Sequence, residues 1–269
     1  MISFIVCSRK KHLDTKLVAN IASVVSVPYE IIVIDNSKNA YSIFSAYNSG
    51  VERAQYPYLA FIHEDILFHS NNVGHIIVNS FAENPKLGLL GVAGITILPQ
   101  YAFGWWSAGY DYYVGGVAHK GCPHTPIVLK DAVACDGLFL CIRAELFRAI
   151  RWDEHTFKGF HCYDMDICMQ ILKAGYKIMV AEGLLIEHFS TGNPTESFAE
   201  GCVLFSKKWN KELPVSIDCL PKNEVLMVQE RVISEYLVSY PLAIRYKHLC
   251  QNPMGGVLLK AIKKLKKIR

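Results

Sequence analysis

Three ionisable side chains interrupt an apolar segment in the first third of the chain. Residues 58–68 read YLAFIHEDILF, so His63, Glu64 and Asp65 lie between two apolar runs that are typical of a buried strand. Burying a charge without a partner is strongly unfavourable. These side chains must therefore reach solvent, pair with one another, or hold a cation.

Alternation along a strand places His63 and Asp65 on one face and Glu64 on the other. His63 and Asp65 can then point at one cation. The triplet alone also fits a structural interpretation, in which Asp65 caps the following helix and His63 is a hydrogen-bonded core histidine. The spacing therefore indicates a cation site and leaves the structural alternative open.

Two more polar residues border apolar segments elsewhere in the chain. Asp164 begins a predicted helix, and His188 ends an extended segment. Hard divalent cations prefer carboxylate oxygens, and Mn²⁺ also accepts an imidazole. A cation with one or two protein ligands usually completes its shell with substrate phosphates. Asp65, Asp164 and His188 are therefore candidates for a cation site at which substrate phosphates complete the shell.

The segment DMDICMQILKAG (164–175) predicts a helix with Asp164 and Asp166 in its first turn. Carboxylates at that position complement the helix dipole and cap the free N–H groups. An aspartate that faces an acceptor hydroxyl can instead act as a general base. Spacing does not choose between these roles.

Residues 101–126 are rich in glycine and aromatic residues and predict a mobile loop. Trp105 and Trp106 offer flat faces on which a sugar ring can stack, and long loops in compact domains are often functional lids. The alternative is that the aromatic side chains pack beneath the loop. Both interpretations stay open at this stage.

Strands and helices alternate through the first third of the chain, which predicts βαβ units and a mostly parallel sheet. Ligands of such sheets bind at the carboxyl ends of the strands, where Asp35 and the HED triplet lie. The predicted strands are 2–7, 30–37, 58–65, 87–96, 132–143 and 177–188, and the predicted helices are 12–27, 41–55, 71–83, 144–150, 164–175 and most of the chain from about 195 onward.

Composition excludes several classes of protein. The 269 residues are 51% hydrophobic and 19% charged, so the chain can build a core and is not disordered. No apolar run reaches the length of a transmembrane helix, and the charges near the N-terminus follow the apolar residues, the reverse of a secretory signal. Nine cysteines without regular spacing favour a reduced cytosolic setting over a disulfide framework.

The net charge of +4 comes from the C-terminus, where the last ten residues, KAIKKLKKIR, hold six bases and no acids. The rest of the chain is near neutral, which argues against a nucleic-acid surface. Residues 254–269 predict a basic amphipathic helix, which suits an anionic membrane surface. Docking on the protein's own domain, or on a second subunit in a homodimer, is the alternative.

Five segments, taken in order over about residues 1–210, resemble the family 2-type glycosyltransferases with the glycosyltransferase A fold. The HED form of the metal motif and the GWW sequence resemble a bacterial subset of that family. The five segments are SFIVCSR, EIIVIDNS, AYNSGVERAQYPYLAFIHED, CDGLFLCIRAELFRAIRWDE and FHCYDMDICMQILKAGYKIMVAEGLLIEH.

The resemblance implies a single Rossmann-like α/β domain over residues 1–212, followed by a C-terminal helical extension with the basic tail over 213–269. Two residues depart from the family pattern: His63 replaces the first acid of the DxD motif, and Tyr163 replaces the glutamate of the "ED" pair. The implied donor contacts are Ser8, Asp35, Asp65, Asp136 and Gly137; the metal ligands are Asp65, His188 and His63; the catalytic base is Asp164; and Trp105, Trp106 and Asp166 are assigned to the acceptor side or a lid.

The implied reaction is an inverting, single-displacement transfer from a nucleotide-diphosphate sugar, with UDP as the expected nucleotide and Mn²⁺ or Mg²⁺ as the cofactor. The implied acceptor is a glycan or a lipid-linked sugar, and the expected location is the cytoplasm or the inner face of the membrane. A catalytically silent sugar-nucleotide or glycan-binding module on the same fold is the alternative, favoured by His63 and Tyr163. A nucleotidyltransferase is less favoured, because SRKKHLD after the first strand lacks glycines.

Overall fold

A computed structural model describes residues 1–119, 121–190 and 195–239, with only the helical backbone for 235–239. The predicted amphipathic tail, 254–269, lies outside the described residues. The strands are β1 (Ile2–Ser8), β2 (Tyr29–Asp35), β3 (Tyr58–Ile62), β4 (Ile66–Phe68), β5 (Leu87–Gly91), β6 (Ala93–Ile95), β7 (Ile97–Leu98), β8 (Tyr113–Gly115), β9 (Val128–Ala132), β10 (Ala134–Cys135), β11 (Phe139–Arg143), β12 (Lys177–Glu182), β13 (Ile186–His188) and β14 (Val215–Ser216). The helices are α1 (Thr15–Val24), α2 (Ile43–Arg53), α3 (Val73–Glu83), α4 (Tyr163–Lys173), α5 (Glu196–Lys208) and α6 (Lys222–Ser239).

A seven-stranded sheet in the order β2-β1-β3-β11-β5-β12-β9 forms the centre of the molecule. Strands β2, β1 and β3 run parallel, as do β5 and β12, whereas β11 and β9 are antiparallel to their neighbours. The prediction of a mostly parallel sheet is therefore confirmed. The inner strands are apolar on both sides because helices cover both faces.

Two apolar layers flank the sheet. Helices α1 and α3 contribute to one layer, and α2 and α4 contribute to the other. In α1 the buried residues Leu17, Ile21 and Val24 recur at helical spacing, and Asp14 caps the first turn by accepting a hydrogen bond from the Lys16 N–H. Local sequence and packing therefore agree in this half of the fold.

Three predicted strands are each broken into two shorter ones. The stretch 87–96 divides at Val92 into β5, in the central sheet, and β6, in a separate sheet. The stretch 132–143 divides into β10 and β11 around the turn Asp136–Leu138, and 177–188 divides into β12 and β13 around Gly183, which has φ 89°. Strand β13 then leaves the central sheet and pairs antiparallel with β4. This pairing brings the end of β13 beside the HED turn.

Residues 101–126 differ from the predicted mobile loop along much of their length. They contain two 3₁₀ turns, Trp105–Ala108 and Tyr110–Tyr112, and strand β8, which pairs with β6. Trp105 is only 8% exposed, because the aromatic side chains pack into the core beneath the segment. Burial of these rings orders the segment, although its glycine-rich sequence pattern predicts irregular structure.

The segment 213–239 packs on residues that precede it in the chain. Strand β14 pairs with β7, and α6 lies against the 3₁₀ turn at Trp105. The Tyr112 hydroxyl donates a 2.8 Å hydrogen bond to Glu224 of α6, and Gln229 accepts one from the Tyr101 N–H. Among the described residues, no helix is both long enough and apolar enough to span a bilayer.

Candidate active site

The HED triplet forms the turn between β3 and β4 at the carboxyl end of the central sheet. The backbone N–H of His63 donates to the backbone carbonyl of Leu138, which precedes β11. The backbone carbonyl of Asp65 accepts from the N–H of Phe189, just after β13. In the β4–β13 pair, His188 is opposite Ile66. Backbone pairing therefore sets His188 next to Asp65 across more than a hundred residues of sequence.

The side chains of His63, Asp65 and His188 converge. One ligand atom from each lies within 4.8 Å of the others. His63 Nδ1 is 3.1 Å from His188 Nε2, and His188 Nε2 is 3.4 Å from Asp65 Oδ1. Two imidazoles and a carboxylate, each partly exposed, form a donor set that a divalent cation can use.

The charges of this cluster depend on one another. Hydrogen bonding to His188 lowers the pKa of Asp65, and the same contact raises the pKa of His188. Burial lowers the pKa of His63, so its ring is neutral near pH 7. A cation between the three groups would pair with the Asp65 carboxylate and face a ring nitrogen of each histidine, so the donor set fits a cation without leaving a buried charge unpaired.

Helix α4 supplies the side of the site opposite β13. Its N-cap, Cys162, has a left-handed backbone with φ 64°, which turns Tyr163 and Asp164 inward. The Tyr163 hydroxyl is 2.7 Å from His63 Nε2. The first residue of α4 is thus hydrogen-bonded to the cation cluster, and the next residue is the predicted base.

Asp164 is an aspartate with an unusually high pKa. Burial, followed by the negative charge of Asp136, raises its pKa to about 7, although N–H groups of Met165 and Gly137 oppose the shift. The Met165 N–H lies 2.8 Å from Asp164 Oδ1. A carboxylate with a pKa near neutrality can both take and release a proton at physiological pH, as a general base must.

Asp136 and Gly137 form the turn that enters β11, between the cluster and the base. Asp136 Oδ1 accepts from the Leu138 N–H at 2.9 Å, which fixes the turn, and its charge acts on both histidines and on Asp164. A Cβ atom at Gly137 would overlap the Tyr163 hydroxyl. Glycine is therefore needed here for a close approach to α4.

Two predicted donor contacts lie further from the cluster. Ser8 is fully buried, donating to Glu64 at 2.5 Å and accepting from the Lys10 N–H, so its hydroxyl organises the loop instead of facing an open surface. Asp35 is exposed at the end of β2, where its carboxylate accepts from the Ser37 N–H. The β1–β2 register places Ser8 opposite Asp35.

Two of the three residues assigned to the acceptor side or a lid, Asp166 and Trp105, are buried. Asp166 is 1% exposed, and its oxygens bond to Lys208, Gln170 and the Trp209 indole, so it is a buried structural carboxylate and not an open contact. Trp105 packs in the core, also away from solvent. Trp106 is 37% exposed.

Trp106 belongs to an aromatic row that runs toward α4. Its ring stacks on Phe198 of α5 with centroids 5.4 Å apart, and Phe198 meets the ring of His161 edge-on at 5.3 Å. His161 precedes Cys162, the N-cap of α4. Sequence reasoning did not single out Phe198 or His161, and no local pattern marks them, because only the packing of α5 brings them together.

A cavity of about 350 Å³ opens beside Asp65. Three basic residues, Arg9, Lys10 and Lys16, contribute to its wall. Arg9 is paired with Glu64 at 2.9 Å, whereas its side chain remains largely exposed. The cavity thus adjoins the candidate cation site, and its wall carries three basic and three acidic side chains. A cation bound at Asp65 would add the positive charge that suits a phosphate-bearing ligand. Its remaining lining residues are Asp14, Leu17, Glu64, Ile66, Leu67 and Phe189.

Comparisons with known proteins bear on the fold and the family of the chain. Among solved structures, the chain aligns with GalNAc-T7, solved with UDP, GalNAc and Mn²⁺, at a TM-score of 0.58 and 12% identity, covering 99% of this chain and 58% of that one. A second structure, A197 from STIV, aligns at a TM-score of 0.43 and 16% identity over 71% of this chain and 86% of its own. A search of curated proteins found no match.

The likeness to GalNAc-T7 bears on fold alone, and it confirms the predicted glycosyltransferase A fold. The family is shown by the sequence. A family model described as "glycosyltransferase like family" matches residues 3–191. This range includes most of β1, the HED turn, α4 and His188. The chain belongs to this glycosyltransferase-like family, and the protein is a glycosyltransferase.

Proposed function

We propose that the protein is an inverting glycosyltransferase that uses a divalent cation to transfer a sugar from a nucleotide-diphosphate sugar to a hydroxyl acceptor. One observation carries this proposal: His63, Asp65 and His188 converge at the carboxyl end of the sheet, beside a cavity whose wall holds three basic and three acidic side chains. In a single displacement the leaving diphosphate, here assisted by the cation, departs from one face of the reacting carbon, and the base acts on the acceptor at the other face. Asp164 is the candidate base.

His63, Asp65 and His188 would hold the cation, which makes the HED triplet a variant form of the DxD motif. When bound, the cation would neutralise charge that develops on the leaving diphosphate. Two imidazole donors suit Mn²⁺ better than Mg²⁺, which strongly prefers oxygen ligands. We therefore expect Mn²⁺ to support activity better than Mg²⁺ does.

The donor would lie with its diphosphate at Asp65 and its nucleoside toward β1 and β2. Lys10 and Lys16 can neutralise phosphate charge, and exposed Asp35 can accept hydrogen bonds from a base or ribose. UDP is the proposed nucleotide, and it is also the nucleotide in the GalNAc-T7 structure. Asp136 and Gly137 would border the sugar.

Asp164 would remove a proton from the acceptor hydroxyl as that oxygen attacks the anomeric carbon from the face opposite the diphosphate. The bond from the anomeric carbon to the diphosphate oxygen breaks in the same step, and the anomeric configuration inverts. Because the pKa of Asp164 is about 7, the carboxylate can accept the proton near neutrality and release it to solvent afterwards.

The acceptor is proposed to be a glycan or a lipid-linked sugar. The row from Trp106 through Phe198 to His161 leads to the N-terminus of α4, and a partly exposed indole can stack on a sugar ring. Trp106→Ala should therefore raise KM for the acceptor while KM for the donor stays near the wild-type value. A change in donor KM alone would contradict this assignment.

Residues 1–212 are proposed as the catalytic domain and 213–269 as an extension that brings the enzyme to an anionic membrane surface on the cytoplasmic side. Pairing of β14 with β7 joins the start of the extension to the domain. The amphipathic pattern of 254–269 supports the membrane contact. The alternative is that the same segment binds a second copy of the protein in a homodimer.

Titration calorimetry tests the proposal. UDP-, GDP- and dTDP-sugars are titrated into wild-type protein and Asp65→Asn, each with and without Mn²⁺. We expect uptake of one donor only with Mn²⁺, and a loss of at least about tenfold in the variant. Asp131→Asn is the matched control, because this carboxylate lies on β9 at the far edge of the sheet.

Slow donor hydrolysis, followed by nucleotide release, separates a transferase from a silent binding module. Equal donor uptake with and without Mn²⁺, or by Asp65→Asn and wild type, would refute the cation site. Uptake without hydrolysis or transfer to any glycan would refute the catalytic proposal and leave only sugar-nucleotide binding.

A further inference from the structure

One hydrogen bond joins the cation cluster to the helix that carries the base. His63 Nε2 lies 2.7 Å from the Tyr163 hydroxyl, and His63 Nδ1 lies 3.1 Å from His188 Nε2, inside the cluster. The two nitrogens of one imidazole therefore face two different elements. Tyr163 occupies the position at which the family pattern has a glutamate, so the family does not supply its role.

A neutral imidazole carries one proton, and a nitrogen that binds a cation must present its lone pair. Nδ1 of His63 faces the cluster, so a cation can bind it only when the proton of the ring is on Nε2. Nε2 faces away from the cluster, so its N–H can donate only to a group outside the cluster. The Tyr163 hydroxyl is at that position and can accept it. The opposite arrangement, with Tyr163 donating to Nε2, would leave a proton on Nδ1 and block the cation.

The Tyr163 ring is fixed in place by its neighbours. It is 7% exposed and contacts the rings of Phe44, Tyr47 and Trp152 at centroid distances of 6.4, 5.8 and 6.0 Å. The absence of a side chain at Gly137 makes room for the hydroxyl. Such a closely surrounded ring cannot swing away, so its hydroxyl stays opposite His63.

We infer that Tyr163 is a positioning residue, which holds His63 in the tautomer that offers Nδ1 to the cation. This inference rests on the proposed cation site and adds to it. Groups that hydrogen-bond to a ligating histidine orient its ring and set its tautomer, and their removal typically weakens metal binding about 10- to 100-fold. Tyr163 would thereby connect cation binding to the start of α4, one residue from Asp164.

The test is Tyr163→Phe, which removes the hydroxyl and keeps the ring. Mn²⁺ affinity is measured by electron paramagnetic resonance of free Mn²⁺, without donor or acceptor. We expect roughly 10- to 100-fold weaker binding. In the metal-free proteins, long-range ¹H–¹⁵N spectra of the imidazoles, assigned with His63→Gln, should show the proton on Nε2 in wild type and a mixture of tautomers in Tyr163→Phe.

Tyr47→Phe is the matched control, because it removes a buried phenol hydroxyl from the same aromatic cluster while the His63–Tyr163 hydrogen bond stays. It should bind Mn²⁺ like wild type. If Tyr163→Phe bound Mn²⁺ as tightly as wild type or more tightly, or if its His63 tautomer were unchanged, the role of Tyr163 would be refuted and the cation site would stand. Failure of the wild type itself to bind Mn²⁺ would overturn the cation site as well.

Discussion

The pKa of Asp164 makes both the rate and the stability of the protein depend on pH in a calculable way. Its pKa rises from 3.8 to about 7, chiefly through burial. Ionising this carboxyl in the folded state is therefore unfavourable by up to about 4 kcal/mol relative to the unfolded chain. A group whose folded pKa is raised contributes least to stability where it is fully ionised.

The sign follows from proton binding. Below about pH 4 Asp164 is protonated in both the folded and the unfolded state and has no effect on stability. Between about pH 4 and pH 7 only the folded state holds the proton, so the free energy of unfolding falls as pH rises. Above about pH 7 the full cost of ionising the buried carboxyl applies. Asp164→Asn removes this dependence. Between about pH 5 and about pH 8, the variant should therefore gain roughly 2–3 kcal/mol in unfolding free energy relative to wild type.

The measurement is urea denaturation of the metal-free wild-type and variant proteins at both pH values, with Asp35→Asn as the control because that carboxylate is exposed. In parallel, kcat/KM of the wild type should rise about tenfold per pH unit below about pH 7 and then level off, as a single base requires. Asp164→Asn should lose transfer and keep donor binding. A pH-independent stability difference, or near wild-type transfer by Asp164→Asn, would refute the assignment of the base.

Three other perturbations follow from the structure. Lys208→Met should destabilise the fold by about 3–5 kcal/mol in urea denaturation, because Asp166 would lose its 2.7 Å partner while buried; equal stability would contradict the structural role. Gly137→Ala should weaken Mn²⁺ binding by displacing the Tyr163 hydroxyl, and wild-type affinity would show that the turn adapts without cost. Deleting 254–269 should abolish flotation with anionic liposomes and leave soluble-acceptor transfer intact, whereas equal flotation removes the membrane proposal.

Patterns local to the chain carry much of this fold. Alternating apolar strands and amphipathic helices predict the parallel half of the sheet, since burial on both faces leaves a continuous apolar run such as ISFIVC. The same logic places Asp35 and the HED turn at the carboxyl edge. The antiparallel direction of β11 has no such signal, because a strand buried on both faces looks alike in either direction.

The candidate site is only partly readable from sequence. Residue type and position beside strands nominate His63, Asp65 and His188, and the structure brings their side chains together. The hydrogen bond between His63 and Tyr163 could not be foreseen, because it depends on a left-handed residue at Cys162. Nor could the order in residues 101–115, which comes from long-range burial of rings.

The reversed strand β11 ties the position of Asp136 to a single alignment of the backbone. Strand β11 is antiparallel to β3, and its first residue, Phe139, pairs with Ile62, the last residue of β3. The turn before β11 therefore lies beside the turn that follows β3. A slip of two residues would keep every side chain on its own face yet carry Asp136 roughly 7 Å along the sheet. An insertion in this turn would therefore move Asp136 away from the two histidines and Asp164, on which its charge acts, so the length of the turn is constrained.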